Sequence, residues 1–151
     1  MKLQKEEKSK QGKKNRAAGK RFEQAVRKNL EEKGWVCAKW TNQVEDNKLV
    51  PIKPKFNPFT KSVMYTGTGF PDYIAYQEVY VDWGLRCKDG KIGCTYSIIG
   101  VECKGGNETN HYLDKDEKEK CKWLLKNNIF SVILIATKGK KRGQIIYTEF
   151  K

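Results

Sequence analysis

Long apolar runs are missing from this chain. No segment approaches the ~20 consecutive apolar residues that a membrane-spanning helix needs. The basic N-terminal stretch also lacks the apolar core of a secretion signal, so no membrane partner and an intracellular, cytoplasmic protein are expected. Histidine is nearly absent, with His111 alone, and none of the five cysteines (37, 87, 94, 103 and 121) falls in a Cys-x-x-Cys pair. A zinc site is therefore poorly provided for. Cys87 and Cys94 flank the turn Lys88-Asp-Gly-Lys91 and could pair across a hairpin, although a reducing compartment disfavours this. Cys103 and Cys121 suit the role of small core residues. No internal repeat is visible.

Acidic residues are in the minority. The 151 residues carry 31 Lys/Arg against 18 Asp/Glu, a net charge of +13. Residues 1–21 hold nine Lys/Arg and two Glu, so more than half of the surplus lies there. A stretch so charged has little apolar area to bury, and a disordered basic arm over residues 1–15 is expected. Basic residues recur in Lys48–Lys61 and Lys138–Arg142, which makes the folded part basic as well. The expected partner is a polyanion, most simply a nucleic acid. The bland alternative is a solubilising tail.

The remaining length suits one domain. A helix is expected over 16–33, with Ala18, Phe22, Ala25, Val26 and Leu30 as its apolar stripe and Gly34 as its stop. Trp35–Trp40 reads as a strand. Residues 41–69, with prolines 51, 54 and 58, read as a long loop or flap. Tyr73–Val81 and Gly93–Lys104 read as a hairpin, Leu113–Asn127 as a second helix, Phe130–Ala136 as a buried strand and Gln144–Phe150 as an edge strand. Strand, helix and strand in the last third suggest a parallel crossover. The fold class is α/β, a central mixed sheet flanked by helices.

Within this frame, Glu102 and Lys104 close the apolar run Ser97–Lys104. They point to one face of the strand, about 6.6 Å apart along it. Charges on a buried strand are costly unless paired or bound to a metal. Asp72 follows the turn Gly67-Thr-Gly-Phe-Pro71 at the mouth of another strand, and Glu23 stands at the edge of the helical stripe. Each has a plain alternative: a structural ion pair for Glu102 and Lys104, a turn cap for Asp72, a solvated helix position for Glu23. His111 suits a surface loop. Trp40, Phe56, Phe59 and Tyr65 stand among lysines and could stack on unpaired bases or pack on the core.

Gly19-x-x-x-Glu23, Pro71-Asp72 and Glu102-x-Lys104, in that order and each at the end of its element, resemble the PD-(D/E)xK nuclease superfamily. The resemblance spans about residues 16–137 and is greatest to archaeal Holliday-junction resolvases and related small viral or phage nucleases. It implies a restriction-endonuclease-like αβββαβ core, with a nuclease domain over 16–151, and a metal-dependent endonuclease acting on DNA. It further implies Mg²⁺ or Mn²⁺ on Asp72, Glu102, the carbonyl of Cys103 and Glu23, with Lys104 at the attacking water or the phosphorus. Related nucleases often carry a glutamine in the helix after this strand, and here Glu117 and Lys118 stand at that place. Arg16, Lys20 and Arg21, then Lys53, Lys55 and Lys61, then Lys115 and Lys118 are the candidate phosphate contacts. A branched substrate favours a homodimer. The rival reading is a basic nucleic-acid-binding protein without catalysis, and an enzyme acting on RNA is a third.

Overall fold

The computed structural model describes residues 2–58, 61–64, 69–80, 94–105 and 113–151. The elements are α1 (Lys2–Glu32), β1 (Val36–Lys39), β2 (Asn42–Glu45), β3 (Lys48–Pro51), β4 (Lys55–Asn57) and β5 (Ser62–Met64). After them come β6 (Tyr73–Tyr80), β7 (Cys94–Lys104), α2 (Lys115–Lys126), β8 (Val132–Lys138) and β9 (Ile145–Glu149). Five strands form one mixed sheet in the order β1-β6-β7-β8-β9. β6 and β7 pair antiparallel, as the hairpin reading requires, while β7 and β8 run parallel with α2 in the crossover between them. β9 is an edge strand, antiparallel to β8.

Alternation along the strands divides the core in two. Tyr73, Ala75, Ile99, Val101 and Ala136 face α1 and meet Phe22, Val26 and Leu30. Ile74, Ile133 and Ile135 face the other way and meet Cys121 and Leu124 of α2, with Phe70, Leu113 and Phe130. The apolar stripe of α1 is narrower than expected. Ala18 and Ala25 are exposed: Ala18 continues the Phe22–Val26–Leu30 line one turn beyond the first core contact, and Ala25 lies to its side. The helix ends where glycine was expected to end it. Gly34, at φ 86°, donates to Glu31 O, and Trp35 N donates to Leu30 O, a Schellman closure.

Two expectations change. The first helix begins at Lys2 and takes in the segment read as a disordered arm. Residues 2–15 contain no proline and are rich in Lys, Gln and Glu, which favour helix, so local propensity competes with charge repulsion there. The segment 41–69 is not structureless. β2 pairs with β3 and β4 with β5, as two short antiparallel ribbons. The β2–β3 turn is Asp46-Asn47, with φ of 49° and 56°, the left-handed pair of a type I′ turn that Asp and Asn tolerate. That dipeptide between Asn42–Glu45 and Lys48–Pro51 was the available signal for the hairpin. The Cys87–Cys94 pairing, His111, Phe59 and Tyr65 lie outside the described residues. Cys121 is fully buried and Cys103 half-buried against the core.

Candidate functional site

Asp72 and Glu102 are brought face to face by strand register. Tyr73 pairs with Val101, so the residue before β6 meets the residue after Val101. Two backbone donors lock the pair. Asp72 N donates to Glu102 Oε2 at 3.2 Å, and Cys103 N donates to Asp72 Oδ2 at 2.9 Å. Both acids are buried, at 7% and 8% exposure.

The turn ahead of Asp72 is fixed by close packing. Gly69 N donates to Trp40 O and Phe70 N to Asn42 O, both at 3.0 Å. A Cβ on Gly69 would stand 2.4 Å from Asn42 O, so only glycine lets the chain pass there. Pro71 then follows Phe70 through a cis bond and presses on Gly100 of β7.

Lys104 completes the cluster. Its Nζ lies 3.2 Å from Glu102 Oε1 and 2.5 Å from Glu117 Oε1. Glu117 does two jobs. Its other oxygen accepts from Asp114 N at 3.0 Å while Asp114 caps Glu117 N at 2.8 Å, a capping box that opens α2. The sequence signal for Glu117 was that Asp-x-x-Glu spacing at the start of the helix following β7.

Two carboxylates, Glu102 and Glu117, thus share one ammonium group, with Asp72 locked beside Glu102. Burial, and then the charge of Asp72, push the Glu102 carboxyl up to about 8. Burial acts to lower the Lys104 ammonium, but its bonds to Glu117 and Glu102 outweigh this and hold it raised. Cys103 points to the α1 face, where burial pushes its thiol far up, so it is no nucleophile.

Glu23 is not part of this cluster. It pairs with Lys39 of β1 at 2.5 Å, on the α1 side of the sheet, whereas Glu102 and Lys104 face α2. Lys39 also stands over the ring of Tyr73, 4.3 Å from its centre. Both groups occupy the same end of the sheet, since the Lys39 ammonium feels the charge of Asp72 as well as that of Glu23. Lys39 was missed because a lysine on a short exposed strand carries no motif.

Of the candidate phosphate contacts, Arg16, Lys20 and Arg21 are exposed on α1, in the turns before Glu23. Lys115 and Lys118 are exposed in the first turns of α2, around Glu117. Lys53 is exposed between β3 and β4, Lys55 begins β4, and Lys61 is exposed at the β4–β5 turn with φ 47°. Trp40 packs edge-on against Phe130 at 5.1 Å, which makes it a core residue, while Phe56 is 63% exposed.

No group of three or more His, Cys, Asp or Glu side chains placed to hold a metal occurs among the described residues. The Asp72–Glu102 pair offers hard oxygen donors crowded in a buried place, where burial and the charge of Asp72 favour a proton on Glu102 that a cation could replace. That donor set fits a small divalent cation that keeps several waters and takes only one or two carboxylates. No helix is long and apolar enough to cross a membrane among the described residues. No protein-family model matches the chain, and a search of curated proteins returns no significant match.

Proposed function

We propose that this protein is a metal-dependent endonuclease that hydrolyses phosphodiester bonds in DNA, built on a restriction-endonuclease-like core of the PD-(D/E)xK kind. The observation that carries this reading is the mutual locking of Asp72 and Glu102 through backbone N–H groups, with the Lys104 ammonium 3.2 Å from Glu102. A purely structural ion pair would gain nothing from a second buried acid beside it.

Asp72 and Glu102 are the residues that would hold Mg²⁺ or Mn²⁺, which when bound supplies an activated water and neutralises charge on the phosphate. Lys104 would stabilise negative charge on a phosphoryl oxygen. Glu117 keeps the Lys104 side chain extended towards the site. Glu23, paired with Lys39, belongs to an outer set at the same sheet end and would act through water. Branched or junction DNA is the favoured substrate, and a homodimer is the assembly that suits such a two-fold target.

The test is a cleavage panel of linear, nicked, single-stranded and four-way DNA, with matched RNA, in Mg²⁺ or Mn²⁺. At least one DNA is expected to be cut. Asp72→Asn and Glu102→Gln should abolish cutting while binding persists, since each substitution removes a metal-holding oxygen without adding negative charge near the DNA. Binding without cleavage of any substrate sinks the enzyme reading in favour of the non-catalytic one. Cleavage of RNA alone moves the substrate.

A further inference from the structure

A cavity of about 410 Å³ opens between α1 and the turn that joins β8 to β9. Phe22 and Ala25 line one side, and Lys138, Lys140, Lys141 and Arg142 line the other. No acidic side chain among the described residues lines it. Lys140, Lys141 and Arg142 are exposed, and Lys138 Nζ stands over Phe22, 5.4 Å from the ring centre. The turn is held by its own backbone. Gly139 N donates to Gln144 O at 2.9 Å, Gln144 N to Lys141 O at 3.0 Å, and Lys141 N to Gln144 Oε1 at 3.2 Å. Its cations are therefore presented from an ordered frame.

The cavity lies at the same end of the sheet as the acid cluster, on the α1 face, whereas Glu102 and Lys104 face α2. Lys104 pairs with Thr137 across the β7–β8 ladder, and Lys138 follows directly. Gly105, just after Lys104, lies against Phe22, with 3.9 Å from its ideal Cβ position to Phe22 Cδ1. Adjacent strands are ~4.8 Å apart and residues rise ~3.3 Å, so the groove starts roughly one to three phosphate spacings from Lys104.

We infer that this groove binds the sugar–phosphate backbone of the DNA strand lying across the acid site, a few nucleotides from the bond to be cut. The inference rests on the proposed nuclease reading for its position and on charge for its chemistry. A row of cations with no acid among the described residues that line the groove suits a polyanion, and a shared sheet end suits a chain that reaches both.

Binding of fluorescent duplex DNA to the full-length chain, followed in EDTA over a range of KCl, tests it against Lys140→Gln/Lys141→Gln/Arg142→Gln. The bonds from Gly139 N to Gln144 O, Gln144 N to Lys141 O and Lys141 N to Gln144 Oε1 do not involve the substituted side chains, so the thermal midpoint should move little. The slope of log affinity against log salt should shrink by about 2–3, one phosphate contact contributing ~0.9. Lys140→Arg/Lys141→Arg should keep the wild-type slope. An unchanged slope in the triple variant overturns the inference, and so does a slope that shrinks for RNA of the same sequence but not for DNA. If the wild type cuts DNA and the slope is unchanged, the groove assignment falls and the nuclease reading stands. If the slope shrinks and the wild type cuts nothing, the groove stands as a DNA-binding surface and the nuclease reading falls. A wild type that does not bind DNA removes both.

Discussion

Glu102 is a carboxyl whose proton affinity depends on folding. In the unfolded chain it titrates near its ordinary value, about 4.5, and in the folded metal-free protein it is pushed up to about 8 by burial and by Asp72. Between those values the folded state binds more protons than the unfolded state, so stability from this group is present at low pH and is lost as pH rises through the window. Glu102→Gln removes the titrating group while keeping its shape. The difference in stability between the variant and the wild type should therefore grow in favour of the variant from pH ~5 to ~8, measured by urea denaturation in EDTA. A pH-independent difference would mean that Glu102 is not a strained acid. A divalent cation added at the upper end of the window should stabilise the wild type more than the variant, since it relieves the same crowding.

At the scale of elements, the site is made by how closely β6 and β7 approach. Gly100 of β7 lies under Pro71, and a Cβ at that position would stand 2.7 Å from Pro71 Cγ and 3.2 Å from Phe130 Cδ2. Gly100→Ala should force Pro71 and Phe130 apart. Overpacking of this kind costs about 1–3 kcal/mol, and here it also shifts Asp72, which follows Pro71. The variant is expected to lose thermal stability and to lose cleavage by more than its folded fraction accounts for. Wild-type cleavage from a destabilised variant would show that Asp72 tolerates the displacement. The strands themselves were readable from apolar runs and turn residues, and Asp72 and Glu102–Lys104 were readable from their places at strand ends. Lys39 and the β2–β3 ribbon were not read, because a lone lysine carries no motif and the Asp46-Asn47 turn signal stood in a segment dominated by lysines and prolines.

For the whole molecule, the dominant quantity is the charge of +13 and where it sits. α1 is continuous from Lys2, and among its described side chains, from Lys10 onward, the buried ones begin at Phe22. Deleting residues 1–14 removes six lysines and two glutamates and none of the core side chains among the described residues. Thermal stability should change little, while DNA binding weakens and its salt dependence flattens. A large fall in the thermal midpoint would show that this part of α1 is integral to the fold. The deletion and the β8–β9 substitutions act at separate basic surfaces, so their effects on the salt slope should add.

The sequence by itself determined the α/β class, the order of the main elements, the basic character and the pairing of an acid with a lysine on a buried strand. These follow from local rules: strand alternation, helical periodicity, turn chemistry and charge count. Only the tertiary structure decided that Asp72 meets Glu102 through crossed backbone hydrogen bonds and that Glu117 holds Lys104. It also decided that Glu23 of α1 pairs with Lys39 of β1 and that the Lys138–Arg142 turn borders the same end as the acids. Those contacts join residues far apart in the chain. Strand register and helix placement fix them, and no local pattern encodes either.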